Sequence, residues 1–128
     1  MNYTFNRLVT GANFDEVDAR ARKALADKGF GVLTEIDVKA TMEKKLDVDM
    51  PPYRILGACN PKMAHQAIGI EPRVGAMLPC NVIVQEINGR SEVAAVDPVA
   101  SMQAIENDRL GAIASKVRNE LKAAIQSL

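Results

Sequence analysis

The sequence predicts an α+β fold, with a mainly antiparallel sheet carrying helices on one face. Three features of the 128 residues lead there. The chain opens strand, helix, strand. Its second half holds short strands around the tight-turn pair Asn88-Gly89, and it closes on a long amphipathic segment.

Residues 2–9 alternate, with Tyr3, Phe5 and Arg7 opposed to Thr4, Asn6 and Leu8, and Tyr, Thr and Phe favour a strand. Thr10-Gly11-Ala12 breaks it. Asn13, three residues before Glu16, opens a helix whose apolar stripe is Phe14, Val17, Ala21, Ala24 and Leu25. Asp15 and Glu16 suit the positive end of the helix dipole, and Gly29 is the expected stop. Residues 30–36 read as a strand, with Phe30, Val32 and Thr34 opposed to Gly31, Leu33 and Glu35. Asp37 caps a second helix through Leu46, since Val38, Met42 and Leu46 lie four apart. Met50-Pro51-Pro52 is a stiff connector, because Pro fixes φ.

Residues 53–59 form a short strand in which Gly57 and Ala58 permit close approach by a helix or a ligand. Asn60-Pro61 starts a helix that runs to about Ile70 and is closed by Pro72. Residues 73–79 read as a loop, with Gly75 as a loop-conformation residue, and residues 81–87 as a strand with the β-branched run Val82-Ile83-Val84. Asn88-Gly89 is a two-residue hairpin turn, as both positions tolerate positive φ, and residues 91–96 return antiparallel. Asp97-Pro98 caps a short helical segment through Ile105. A second cap at Asn107 or Asp108 opens the last helix, with Leu110, Ile113, Val117, Leu121, Ile125 and Leu128 as its stripe. No internal repeat or shift in composition divides the chain, so residues 1–128 read as a single domain. Apolar residues on both sides of the 82–84 run predict that the second sheet face is buried against another copy, giving a homodimer.

Composition removes several classes. A hydrophobic content of 48% excludes a disordered chain, and two cysteines exclude a disulfide scaffold. Sixteen basic residues balance sixteen acidic ones and Trp is absent, which argues against a nucleic-acid partner. The first residues lack a basic region followed by an apolar run, and no stretch reaches the ~18–20 apolar residues of a membrane span. The expectation is a cytoplasmic protein with no membrane association, whose thiols are reduced.

Chemistry concentrates at Cys59, His65 and Cys80. Cys59 stands just before the Asn60 cap, where free amides and the helix dipole favour a thiolate. If the 53–59 and 81–87 strands pair antiparallel, Cys80 shares an edge with Cys59 and the two sulfurs are expected face to face. Parallel strands would separate them by roughly 20 Å at the usual rise per residue. His65 follows one turn along the helix, with Met63 and Met77 near in sequence. Two thiols and an imidazole suit a soft metal such as Cu(I), or Zn with a fourth ligand. Against that, buried cysteines serve as small apolar side chains, and Met42, Met50, Met63, Met77 and Met102 fit as gap-fillers. No nucleophile has an evident base, no phosphate-binding loop occurs, and Gly29-Phe30-Gly31 lacks the third glycine of a dinucleotide fingerprint.

Cys59-Asn60-Pro61, Ala64, Ala67, Pro72, Gly75 and Leu78-Pro79-Cys80-Asn81-Val82, with Gly29-Phe30-Gly31-Val32, Glu35-Ile36-Asp37-Val38, Tyr53-Arg54-Ile55-Leu56-Gly57 and Asp97-Pro98, resemble the domain of unknown function 302 family across nearly the whole chain. The resemblance implies strand, helix, four strands and helix, similar to a single TATA-binding-protein-like repeat, with 38–46 and 61–70 as helical insertions. It also implies dimers, and it carries no established activity. Three functional readings follow. The first is a binding or sensing module whose pocket, where the 61–70 helix meets the sheet edge, is lined by Gly57, Cys59, Asn60, Pro61, His65 and Cys80 and takes a small apolar ligand or a soft metal on Cys59, Cys80 and His65. The second is a thiol enzyme or redox switch, with Cys59 attacking and Cys80 resolving. The third is a purely structural dimerisation domain.

Overall fold

The computed structural model describes residues 2–128. The chain runs β1 (Thr4–Val9), α1 (Phe14–Asp27), β2 (Gly31–Asp37), α2 (Val38–Leu46), β3 (Tyr53–Cys59), α3 (Pro61–Ile70), a 3-10 helix (Pro72–Met77), β4 (Cys80–Ile87), β5 (Arg90–Val96), α4 (Pro98–Ser101) and α5 (Asp108–Gln126). Five antiparallel strands form one sheet in the order β1-β5-β4-β3-β2. The α+β architecture expected from the sequence is the one observed.

Local chemistry explains where the elements begin. The side chains of Asn13, Asp37, Asn60, Asp97 and Asn107 each accept a hydrogen bond from a first-turn amide of the helix that follows. Asn88 and Gly89 both take positive φ, 51° and 78°, as the β4–β5 hairpin turn requires. Two segments differ from expectation. Residues 73–79 are not simply a loop, since 72–77 coil into the 3-10 helix, and α4 stops at Ser101 rather than Ile105.

α1 and α5 pack on one sheet face. Val17, Ala21 and Leu25 from α1, and Leu121, Ala124 and Ile125 from α5, meet Leu56, Val82, Val84 and Val93 in the main core. A second cluster gathers Ala67, Val74, Met102, Leu110 and Ala114 between α3, the 3-10 helix and the start of α5. Ala114 and Ala124 are buried in α5 beside the larger residues of its stripe, so that stripe is wider than the large apolar residues alone indicate. On β2 the alternation breaks. The register slips between Val32 and Thr34, so Val32 opposes Ala58 while Thr34 opposes Gly57, and the two lie on opposite faces. The sequence expectation that Val32 and Thr34 share a face is corrected by this bulge, which leaves Leu33 66% exposed.

Among the described residues no helix is long and apolar enough to cross a membrane.

Candidate cleft between the third helix, the last helix and the sheet edge

Antiparallel pairing of β3 with β4, on which the two-thiol expectation hinged, is present. The register, however, sets Cys80 opposite Ala58, with Cys59 one residue further along its strand. Side chains alternate along a strand, so this single step puts the thiols out of phase. The expected face-to-face pair is therefore corrected: both thiols are free and they are not brought together.

What the edge does build is a cleft. Ala58, Cys59 and Asn60 at the end of β3, Met63, Ala64 and Ala67 on α3, and Leu78, Pro79 and Cys80 entering β4 form one side. Pro98 and Met102, with Leu110, Ile113, Ala114 and Val117 of α5, form the other. Its exposed wall is apolar, and the space within the half-open cleft measures about 30 Å³. Cys59 is half-buried and Cys80 is buried. Burial, with a smaller contribution from neighbouring Cys59, pushes the Cys80 thiol up from an ordinary 9.0 to about 11. At neutral pH Cys80 is a neutral, small, weakly polar wall residue.

Helix geometry decides which α3 residues reach this space. Met63 and Ala67, four apart, face inward and are buried, with Ala64 beside them. His65 is exposed and lies outside the cleft lining. Pro61 supplies the first helical residue and is exposed, while the side chain of Asn60 accepts the Met63 amide at 3.3 Å. Among the described residues no three His, Cys, Asp or Glu side chains form a group able to hold a metal ion. Cys59, Cys80 and His65 are thus not gathered into one, which corrects the soft-metal expectation.

Gly57 is placed differently from expectation too. It stands outside the cleft lining, and a Cβ there would fall 2.1 Å from Thr34 Oγ1 and 2.7 Å from Pro79 Cγ. Its role is to let Thr34 and Pro79 close over β3. Sequence reasoning missed the far wall: Leu110, Ile113 and Val117 were legible as apolar helix positions, but nothing local marks them as fronting an opening rather than filling a core.

A second polar cluster lies at the other end of the helix-covered face. Arg54 reaches Asp15 at 3.2 Å and Asp18 at 3.5 Å and lies over the Phe14 ring, 4.9 Å from its centroid. Arg22 joins Asp18 at 2.8 Å to Glu35 at 3.0 Å. Asp18 is buried, and its Oδ1 has no hydrogen-bond partner among the described residues, leaving the charge of Arg54 as its compensation.

The family described as Domain of unknown function DUF302 matches residues 5–128. A solved structure described as the crystal structure of an uncharacterized conserved protein DUF302 from Bacillus stearothermophilus is similar throughout. It is 26% identical, with a TM-score of 0.91 over 98% of this chain and 98% of that one. Among curated proteins nothing matches. A family match spanning nearly every residue, joined to this likeness of fold, establishes that the chain belongs to the DUF302 family.

Proposed function

We propose that the chain is a small binding module that accepts an apolar group in the cleft between α3, α5 and the β3–β4 edge. The observation that carries this reading is the apolar wall of that opening, where a well-packed domain of this size would bring side chains into contact. Size limits the ligand. Space of about 30 Å³ holds roughly two water-sized spheres, far below the ~300–1,000 Å³ of typical ligand pockets, so only the tip of a molecule enters. Cys59 and Cys80 act as wall residues here. A thiol raised to about 11 supplies almost no thiolate at neutral pH, which weighs against Cys80 as a resolving nucleophile.

The test is a native mass spectrum of freshly purified protein, followed by addition of 1-butanol, whose slim alkyl end can enter, monitored on backbone amide signals. An apolar adduct, or amide shifts that include Ala58, Ala64 and Cys80, is the expected result, and Ala64→Leu should suppress it. A bare mass with no cleft shifts on butanol addition sinks the reading.

The uncovered sheet face supports a homodimer alongside this. Tyr53, Ile83, Ala94 and Val96 line a depression of about 420 Å³ there, interspersed with Asn6, Asn81, Gln85 and Glu92. Only Glu92 among these is charged, so a second copy meets the face with little like-charge opposition and can pair amide donors with acceptors. We read the strand order as a single TATA-binding-protein-like repeat in topology alone, which brings no nucleic-acid role.

A further inference from the structure

We propose that the cleft continues past Met102 into a second chamber, and that the site takes an unbranched aliphatic chain with a neutral hydrogen-bonding head. The inference rests on the cleft reading above and deepens it by naming the ligand class.

Beside the inner cleft lies a half-open depression of about 200 Å³ between α4, the turns after it and the first turns of α5. The two spaces share Met102, Leu110 and Ala114 as a common wall. Leu110 and Ala114 are fixed on α5, whereas Met102, though buried in the second core cluster, is an unbranched thioether with three rotatable bonds and is the most adaptable part of that wall. Swinging Met102 joins the chambers into one passage that is narrow and apolar at its inner end. The outer chamber is mixed in character, with Gln103 and Asn107 at its wall. Asn107 is already engaged: its amide nitrogen donates to the Ile70 carbonyl, and its oxygen accepts the Arg109 amide. Gln103 is exposed and is the polar side chain left to meet a head group. No charged residue lines either space, so a neutral head fits and an ionised one would lie unpaired.

Gly111 lies on the wall of the same outer chamber. It sits inside α5, where glycine weakens a helix relative to alanine. It is exposed and a Cβ there meets nothing within 4 Å, so no packing contact within the fold requires glycine. A larger side chain at this position has room to extend across the mouth of the chamber.

The experiment titrates the whole chain with straight-chain primary alcohols from butanol to dodecanol, reading amide shifts near Ala58 and Cys80 for the inner cleft and near Ile105 and Gly111 for the outer chamber. Affinity should rise about fourfold per added methylene, the value for burying each in an apolar site, until the passage is full. Gly111→Leu should truncate that rise while leaving butanol unaffected and the protein at least as stable to heat. Met102→Ala should extend it to longer chains, and Gln103→Ala should weaken by about fivefold, the usual worth of one hydrogen bond, each alcohol long enough to reach the outer chamber. Shifts confined to the inner cleft, with no dependence on chain length or Gly111→Leu, would overturn the two-chamber passage while leaving the cleft reading standing. No shifts at either place would overturn both.

Discussion

Cys80 lies directly across the β3–β4 ladder from Ala58, with Cys59 one residue out of register. That relationship turns an expected face-to-face thiol pair into two free side chains with different environments, and the chemistry of each follows mainly from its own burial.

The first consequence is reactivity. Cys59 is half-buried, whereas Cys80 is buried and its thiol is held neutral. Iodoacetamide at mildly alkaline pH should modify one site on the native protein, and peptide mapping should place it at Cys59. Cys80 should react only after denaturation. Mild peroxide should yield no internal disulfide, and an intact mass two hydrogen atoms lighter with both thiols protected from alkylation would contradict the register.

The second concerns pH. A thiol raised from 9.0 to about 11 by folding stays protonated in the native state while the unfolded chain ionises. Stability from this group is therefore complete below about pH 9 and is lost as pH climbs toward 11. Two pH units correspond to about 2–3 kcal/mol at most. Urea midpoints between pH 8 and 11 should fall more steeply for the wild type than for Cys80→Ala, and equal slopes would refute the assignment.

Gly57 makes a steric prediction. Gly57→Ala places a methyl 2.7 Å from the Pro79 ring, which cannot rotate away, and 2.1 Å from the Thr34 hydroxyl, which can. The substitution should destabilise by about 1–3 kcal/mol, the usual range for overpacking. Adding Thr34→Ala should recover only part of that in chemical denaturation, because the proline contact persists.

Arg54 is expected to matter for a different reason. Arg54→Ala removes the charge facing Oδ1 of the buried Asp18 carboxylate, leaving Arg22 on Oδ2, and it removes the cation stacked on Phe14. A loss of about 2 kcal/mol is expected, smaller than for a fully buried pair because Arg54 retains some solvent contact. Asp18→Asn in the same background should restore a measurable fraction, and a purely additive double mutant would argue against coupling.

Ile83 tests the uncovered face. Light scattering behind size exclusion should give twice the chain mass for the wild type, and Ile83→Lys should halve it without altering the circular dichroism spectrum. A wild type that elutes with the mass of one chain at micromolar concentration removes the homodimer.

Element identity was legible along the chain because its determinants are short-range. A capping side chain acts on an amide two or three residues away, and Asn88-Gly89 carries its positive φ values in its own backbone preferences. The strand limits 53–59 and the α3 limits 61–70 follow from such signals. The sequence alone thus determined which segments coil, which extend and which turn, together with an α+β class. Tertiary structure decided the rest: the bulge beside Leu33, the pairing of Ala58 with Cys80, the outward turn of His65 and the cleft wall supplied by α5. Each depends on how two distant segments share space, through register summed over a whole strand pair or packing between helices some fifty residues apart, as α3 and α5 are. Local propensity carries no record of those distances.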